Sequence, residues 1–389
     1  MSEAAGHYGI GRLRDIPRPS CPSMPFRPSP ATASRPDHED ETRGRSGTAP
    51  GTFIISLDCE LYWGMRDKRT LDEYRENLIG DRLVVPRLLA LFDEFGIRAT
   101  WAFVGLLFFS DREALLAGLP AVLPTYLDSR LCPYFELPRM GPNEEEDPFR
   151  YGASLVEAVL AHDGHEVASH TFSHYYCLEP GQTVEEFRAD LAAANRAAAQ
   201  YGLELTSLVF PRNQTNDEYL AACREYGIRA YRRNTQSWLY REMSEGGETT
   251  FRRAVRYADA FVNLSGYQVH DIREISGPLP VNVPASRFLY PRQRWTARFD
   301  ALRLRRIRRE MTYAAEHGLL YHLWWHPHNF GRETEAHLAL LRGILEHYLY
   351  LHDTAGMRSR TMRDVAEAAI SRGPGGASGD ASDLPFSPV

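Results

Sequence analysis

Apolar runs and amphipathic stretches alternate along most of the chain, in the order expected of strands and helices. Residues 53–57 form an apolar run typical of a strand buried on both faces of a parallel sheet. Residues 84–95 are amphipathic at helical spacing, with a proline near the start and Gly96 as the stop. Residues 97–104 then alternate into a second strand. Strand, helix and strand in this order predict a right-handed parallel crossover.

The same alternation continues toward the carboxyl end of the chain. Two long stretches interrupt it, 106–150 and 242–294, and both are predicted to be irregular excursions. The repeated unit predicts an α/β fold built as a barrel of parallel strands. The further predicted strands are 166–169, 207–210, 230–232 and 319–325, and the further predicted helices are 155–162, 184–201, 217–226, 303–317, 334–352 and 362–370.

The two ends of the chain have a different composition from the middle. Residues 1–50 are rich in Pro, Ser, Arg and acidic residues, and 371–389 are rich in Gly, Ser and Pro, with scarcely any apolar periodicity in either. They are predicted to be a disordered extension and a disordered tail. The predicted folded domain is 51–370, which is long enough for one barrel.

Overall composition narrows the classes of function. The chain has 389 residues, of which 43% are hydrophobic and 25% charged, as in globular proteins with a sizeable core. A net charge of -6 argues against nucleic acid as the main partner. No apolar run is long enough for a membrane span, and no secretory signal is seen. The five cysteines contain no Cys-x-x-Cys pair, so a cytoplasmic protein with reduced thiols is predicted.

Two carboxylates follow the first predicted strand. Asp58 and Glu60 are two residues apart, so strand geometry places both on one face and turns Cys59 to the other. Acids at the carboxyl end of a buried strand lie where α/β barrels build their active sites. The alternative is that the pair caps a helix or lies in a surface turn.

Two histidines follow the predicted strand 166–169. His170 and His174 are four residues apart, and a turn at this point would aim both imidazoles at one metal ion. The alternative is that they are ordinary polar residues at a strand end.

The order of these motifs resembles the polysaccharide deacetylase family, also called the NodB homology domain or carbohydrate esterase family 4. The resemblance extends over about 53–370, and its most specific part is Ser-His-Thr-Phe-Ser-His at 169–174 with the preceding Gly-His-Glu-Val. It also includes Ala-Thr-Trp-Ala-Phe-Val-Gly at 99–105, Phe-Pro-Arg-Asn at 210–213 and a late His-Pro. The resemblance implies a distorted (β/α)7 barrel of the NodB type, here with irregular insertions. It also implies one divalent metal and removal of an N-acetyl group from an amino sugar.

The resemblance carries over to particular residues. His170 and His174 match the family's metal-binding histidines. The acidic motif departs from the family's Thr-Phe-Asp-Asp-Gly, because it is Ser-Leu-Asp-Cys-Glu at 56–60. Ungapped alignment places Asp58 on the general base and Cys59 on the metal-binding aspartate. Because strand geometry turns Cys59 away, Glu60 is the preferred third ligand; the exchange, with Asp58 on the metal and Glu60 as base, stays open.

Other site residues come from the later motifs. Arg212 resembles the arginine that orients the base, although here a proline precedes it. His326 matches the late histidine that protonates the leaving amine, and His328 is its competitor. The predicted substrate-binding residues are Trp63, Asn213, Trp238 and His328, with core or rim positions as the alternative for the tryptophans.

The predicted activity is therefore metal-dependent hydrolysis of an N-acetyl or other N-acyl amino sugar. Zinc is the default metal, with cobalt, nickel or iron as alternatives. A cytoplasmic location favours an intermediate of surface-polysaccharide or lipopolysaccharide assembly, so the predicted partner is a lipid-linked or nucleotide-linked carbohydrate. The alternatives are a deformylase or another hydrolase of non-peptide C–N bonds, a nucleotide-sugar glycosyltransferase suggested by acid-x-acid after a strand, and a non-catalytic carbohydrate-binding module.

Overall fold

The computed structural model of the protein describes residues 49–235, 239 and 250–372. Most of the predicted extension and tail, and Trp238, lie outside the described residues. All strand pairs in the described part are parallel. The strands are β1 (Thr52–Cys59), β2 (Ala99–Phe103), β3 (Glu166–Ser169), β4 (Ser207–Val209), β5 (Ala230–Arg232), β6 (Val281–Asn282), β7 (Arg287–Phe288), β8 (Leu320–Trp325) and β9 (Arg358–Ser359).

The strands form one sheet that closes on itself. Its order is β6-β5-β4-β3-β2-β1-β8-β7, and β9 joins the amino end of β1. Although β6 and β7 stand at opposite ends of this order, they are adjacent in sequence. Between them the Ala285 amide donates to the Arg233 carbonyl at 2.8 Å, and the Ser286 amide donates to the His322 carbonyl at 2.8 Å. Residues 281–288 thus form one extended segment that pairs with β5 on one side and with β8 on the other, and this segment is the seventh strand of the barrel. The predicted (β/α)7 barrel is confirmed.

The helices surround the sheet, and most boundaries lie within three residues of the predictions. The first helix is an exception, because it begins at residue 71 rather than 84. Thr70 and Glu73 form a reciprocal capping box at its start, and Pro86 lies inside it. The helices are α1 (Leu71–Phe95), α2 (Arg112–Ala117), α3 (Ala153–Leu160), α4 (Val184–Ala199), α5 (Asp217–Glu225), α6 (Thr250–Asp259), α7 (Asp300–His317), α8 (Thr334–Ala355) and α9 (Met362–Arg372).

The stretch 242–294, predicted to be irregular, contains α6, β6 and β7. The prediction was wrong for β6 and β7 because strands of two residues are too short to show a period. It was also wrong for α6, whose ten residues do carry a helical period that the prediction did not use. No helix among the described residues is long and apolar enough to cross a membrane.

The two faces of each strand have different surroundings. On β1, Phe53 and Leu57 belong to the large core between the sheet and its helices, whereas Ile54 belongs to a small cluster inside the barrel. Met362 of α9 packs into this inner cluster. The apolar filling therefore lies near the amino end of β1, and the inward positions nearer its carboxyl end, Ser56 and then Asp58, are polar.

Candidate metal centre and active site

The alternation of β1 positions the two acids. Asp58 is 3% exposed and Glu60 is 4% exposed, and both face the polar interior at the carboxyl edge of the barrel. Cys59 belongs to the outer hydrophobic core, where burial raises its pKa well above the usual thiol value. The strand reasoning about this triplet therefore matches the structure, and Cys59 lies away from the histidines.

The chain coils into a buried turn immediately after β3. Thr171 and His174 have positive φ values of 62° and 58°, in the left-handed region that non-glycine residues seldom adopt. Asp190 of α4 holds the turn, because its carboxylate accepts hydrogen bonds from the backbone amides of Phe172 at 2.6 Å and Ser173 at 3.0 Å. The turn is thus fixed by a partner on another element.

The turn brings both predicted histidines to Glu60. Glu60 Oε2 lies 2.9 Å from His174 Nε2 and 3.4 Å from His170 Nε2. The other ring nitrogens have partners of their own: His170 Nδ1 is 2.8 Å from the Val209 carbonyl, and His174 Nδ1 is 3.1 Å from the Tyr176 hydroxyl. A metal-ligating histidine commonly uses its second nitrogen in this way, because the contact sets the tautomer and the ring orientation.

These residues fit a divalent metal ion. One ligand atom from each of Glu60, His170 and His174 lies within 4.8 Å of the other two, and all three residues are buried. Burial alone would raise the pKa of Glu60, but the neighbouring histidines hold it well below the ordinary value, so the carboxylate is ionised. Burial lowers the pKa of His174 to about 4, so its imidazole is neutral, as a metal ligand must be.

Asp58 has a different partner, an arginine that the sequence reasoning missed. The Arg232 guanidinium binds Asp58 through two hydrogen bonds of 2.7 Å, donates to Ser56 Oγ at 2.9 Å, and lies 4.0 Å over the Trp324 ring. Burial alone would raise the pKa of Asp58, but Arg232 and His170 outweigh it, so the pKa lies below its ordinary value. An arginine at the end of a short buried strand was the only signal that could have indicated this residue.

Arg212 is placed elsewhere. It lies in the turn after β4 with a φ of 55°, pairs with Asp67, and donates to Glu179 Oε1 at 3.0 Å. The structure therefore brings Arg232, and not Arg212, to Asp58. The prediction that Arg212 orients the base needs this correction. The physical reason is that the inward-facing end of β5 points across the barrel, whereas the Arg212 turn lies on its rim.

The late histidines follow β8 on the other side of Glu60. His326 Nε2 is 3.6 Å from Glu60 Oε1 and 3.8 Å from Asp58 Oδ2, with 22% of its side chain exposed. His328 Nε2 is 3.8 Å from Glu60 Oε1, and the residue is 2% exposed. Burial lowers the pKa of His328 to about 3. Of the two, His326 is the one that can reach both an acid and the open side of the site.

The predicted substrate-binding residues Trp63 and Asn213 have different surroundings in the structure. Trp63 is fully buried and donates its indole N–H to the Arg150 carbonyl at 2.8 Å, so its predicted contact with substrate is wrong. The reason is that the tight helical turn Leu61–Gly64 carries it into the core directly after Glu60. Asn213 remains close to the site, with Oδ1 3.3 Å from Arg232 Nη2.

A cavity of about 310 Å³ opens next to His326. Asn213, Trp324 and His326 connect it to the carboxyl edge of the barrel. Its described lining residues are Arg212, Asn213, Asn234, Thr235, Arg256, Ala285, Ser286, Arg287, Phe288, Tyr290, Trp324 and His326.

Comparison with known proteins agrees with this description. Residues 79–231 match the family model described as polysaccharide deacetylase. No curated protein matches the sequence. The matched range contains His170, His174 and Arg212, and it ends one residue before Arg232. The acids of β1 and the late histidines lie outside it.

Solved structures share the fold at low sequence identity. A Mycobacterium smegmatis protein described as a polysaccharide deacetylase has 14% identity and a TM-score of 0.52, over 88% of this chain and 97% of its own. A Pseudomonas aeruginosa PAO1 protein with the same description has 12% identity and a TM-score of 0.50, over 83% and 92%. PuuE allantoinase has 13% identity and a TM-score of 0.50, over 87% and 99%. The resemblance of this chain to the polysaccharide deacetylase family is therefore confirmed, with residues 79–231 carrying the family's sequence pattern.

Proposed function

We propose that the protein is a metal-dependent hydrolase that removes an N-acetyl or other N-acyl group from an amino sugar. The observation that carries the proposal is the meeting of Glu60 with His170 and His174 beside a second acid, Asp58, that has its own arginine. The different partners of the two acids give them different roles: Glu60 is the metal ligand and Asp58 is the base. A binding module would need neither the paired histidines nor a base, and a glycosyltransferase gives the histidine pair no role.

The metal and the protein have distinct roles in this proposal. A divalent ion held by Glu60, His170 and His174, with zinc as the default, would act as a Lewis acid toward the acyl group and lower the pKa of water. Asp58 takes the proton from the attacking water, and the low pKa of Asp58 keeps it ionised for this step. His326 donates a proton to the leaving amine nitrogen from the open side of the site.

The assignment of Glu60 as metal ligand and Asp58 as base is favoured over the reverse assignment, with Asp58 on the metal and Glu60 as base. Both Asp58 oxygens accept hydrogen bonds from Arg232, which fixes the carboxylate near the reacting atoms without directing it at the histidines. Both nitrogens that face the metal position contact Glu60 instead. Arg232 therefore takes the orienting part that the sequence indicated for Arg212.

The substrate is proposed from the cavity next to His326. Its 310 Å³ lies at the lower end of the range for ligand pockets, about 300–1,000 Å³, which suits one sugar residue with its acyl group. We extend the proposal to lipid-linked or nucleotide-linked amino sugars of cytoplasmic polysaccharide assembly. Deformylation or hydrolysis of another non-peptide C–N bond is a second candidate, because the fold is shared with an allantoinase and so does not select the amide.

The test is acyl release by the purified, zinc-loaded full chain. Free, nucleotide-linked and lipid-linked N-acetyl and N-formyl amino sugars are compared by measuring the acetate or formate produced. Asp58→Asn is expected to lower the rate about 10²–10⁴-fold while metal stays bound, and His174→Ala to lower both rate and metal content. His317→Ala, an exposed histidine on α7, is the matched control. A protein that retains no metal and releases no acyl group would overturn the proposal in favour of the binding module.

A further inference from the structure

Glu60 has a second oxygen that faces a second pair of histidines. Oε2 faces His170 and His174, whereas Oε1 lies 3.6 Å from His326 Nε2 and 3.8 Å from His328 Nε2. One ligand atom from each of Glu60, His326 and His328 lies within 4.8 Å of the other two. Each histidine pair forms its own close set with the carboxylate, and Glu60 is the member common to both.

The spacing of this second set is that of ligands around an ion. A hydrogen bond between these atoms would measure about 2.7–3.2 Å. Ligands held 2.0–2.2 Å from a tetrahedral metal lie about 3.3–3.6 Å from one another. The contacts of 3.6 and 3.8 Å are therefore too long for hydrogen bonds and close to the ligand spacing. In the first set, the 3.4 Å contact has the ligand spacing, whereas the 2.9 Å contact lies in the hydrogen-bond range.

His328 has no other evident use for its ring. It is 2% exposed, and its Nδ1 has no hydrogen-bond partner in the part of the chain that the structure describes. Among the described residues its Nε2 has only Glu60 Oε1 nearby, at 3.8 Å, so an ion bound at Nε2 would displace no hydrogen bond. Its position is nevertheless well held, because Asn77 Nδ2 donates to the His328 carbonyl at 3.1 Å and the Tyr74 ring packs edge-on against the imidazole.

The two late imidazoles are also arranged together. The rings of His326 and His328 are nearly parallel, at 17° with centroids 5.0 Å apart, so both present Nε2 to the same side. The side chain of Asn329 lies 3.4 Å from His326 Nδ1, which leaves Nε2 directed at the carboxylates.

We propose that Glu60 Oε1, His326 Nε2 and His328 Nε2 form a second metal site, with Glu60 as the carboxylate that bridges two ions. The site rests on the proposed function, since it shares Glu60 with the first ion. Two imidazoles favour zinc, nickel, copper or cobalt over magnesium or calcium. An ion here would occupy the His326 nitrogen that donates the proton to the leaving amine. Occupation of the second site therefore suppresses hydrolysis.

The experiment counts ions on the full chain. Chelator-treated protein is titrated with Co²⁺ alone, and separately with Zn²⁺. The readouts are Co²⁺ visible absorbance and elemental analysis after gel filtration. Wild type is expected to bind about two equivalents, with the second binding more weakly. His328→Ala and His328→Gln should each bind about one, His174→Ala should lose the first and keep the second, and Glu60→Ala should retain neither. His317→Ala should match wild type.

The outcomes separate the two proposals. One equivalent in wild type, lost in His174→Ala and kept in His328→Ala, would overturn the second site and leave the proposed function standing. One equivalent lost in both variants would mean a single ion shared by all four histidines, which also overturns the second site. No metal in wild type would overturn both proposals. Thermal unfolding of each variant identifies loss of fold.

An activity ratio adds an independent readout. With a hydrolysed substrate, raising Zn²⁺ from one equivalent to excess is expected to lower the wild-type rate about 100-fold, the lower end of what a general acid contributes. The ratio for His328→Ala is expected to stay near one, whatever its own rate. An equal fall in both proteins would contradict the inhibitory second site.

Discussion

The two sides of Glu60 form a natural comparison. On one side, His170 and His174 come from a single turn, and each has a polar partner on its second ring nitrogen. On the other side, His326 and His328 follow a strand end, and His328 has no such partner among the described residues. The same carboxylate serves both pairs. A pair of imidazoles can thus be directed at an acid with or without the supporting contacts that make a ligand set strong.

The largest effect is expected from removing the charge of Glu60, because both histidine pairs face this carboxylate. Glu60→Gln keeps the shape of the side chain but removes the charge that all four histidines face, so metal affinity should fall by more than about 100-fold on each side. Competition with a chromogenic chelator measures the loss. Glu316→Gln, an exposed glutamate on α7, is the control. Unchanged affinity in Glu60→Gln would contradict the assignment of Glu60 as a ligand.

The second prediction separates the two arginines. Arg232→Met leaves the Asp58 carboxylate buried without its partner, and breaking a buried ion pair in this way costs about 3–5 kcal/mol in the free energy of unfolding. Arg212→Met, whose side chain is 15% exposed at the rim, should cost less. Urea unfolding at pH 7 measures both. A larger loss for Arg212→Met would reverse the roles argued for these residues.

The pH dependence of that loss has a definite sign. Because Arg232 and His170 keep the pKa of Asp58 below its ordinary value against the effect of burial, the Asp58 contribution to stability is present above the unfolded pKa, about 3.9. It is lost as pH falls through the folded pKa. The difference between wild type and Arg232→Met should therefore be greatest near neutral pH. It should shrink as pH falls and Asp58 becomes protonated, first in the variant, where burial acts without Arg232, and then in wild type.

The third prediction tests whether metal binding needs the Glu60 carboxylate in its position beside Gly64. A Cβ added at Gly64 would lie 2.0 Å from Glu60 Cδ, so Gly64→Ala must displace the carboxylate from the histidines. Metal affinity is expected to fall about 10–100-fold. Gly343→Ala is a matched control on α8, where the nearest atom is the flexible end of Leu304 at 3.1 Å. Wild-type affinity in Gly64→Ala would show that the carboxylate can bind metal from another position.

The fourth and smallest effect concerns a supporting contact that only the His170–His174 side has. Tyr176→Phe removes the hydroxyl 3.1 Å from His174 Nδ1 and should weaken the first ion about 10-fold, without affecting the second. Tyr350→Phe, on an exposed part of α8, is the control. Isothermal titration with Zn²⁺ measures the two steps separately. Weakening of the second step alone would contradict the assignment of Tyr176 to the first side.

Much of the site was open to prediction because it depends on local geometry. The two-residue period of β1 placed Asp58 and Glu60 inward and Cys59 outward, and the four-residue spacing of His170 and His174 suits a single turn. Element boundaries were close wherever the apolar period was long. The start of α1 was missed because its first turns carry many polar residues, although the Thr70–Glu73 capping box was a readable signal.

The sequence by itself determined the features that depend on residues close together in the chain. These are the strand faces, the histidine turn, the barrel pattern and the family resemblance. Only the tertiary structure decided which distant groups meet. Arg212 follows the short strand β4 and Arg232 ends the short strand β5, but only Arg232 reaches Asp58, across 174 residues of chain, because β5 faces Asp58 through the barrel. His328 likewise meets Glu60 only because β8 lies next to β1. Such contacts depend on strand order and barrel closure, which no local period encodes.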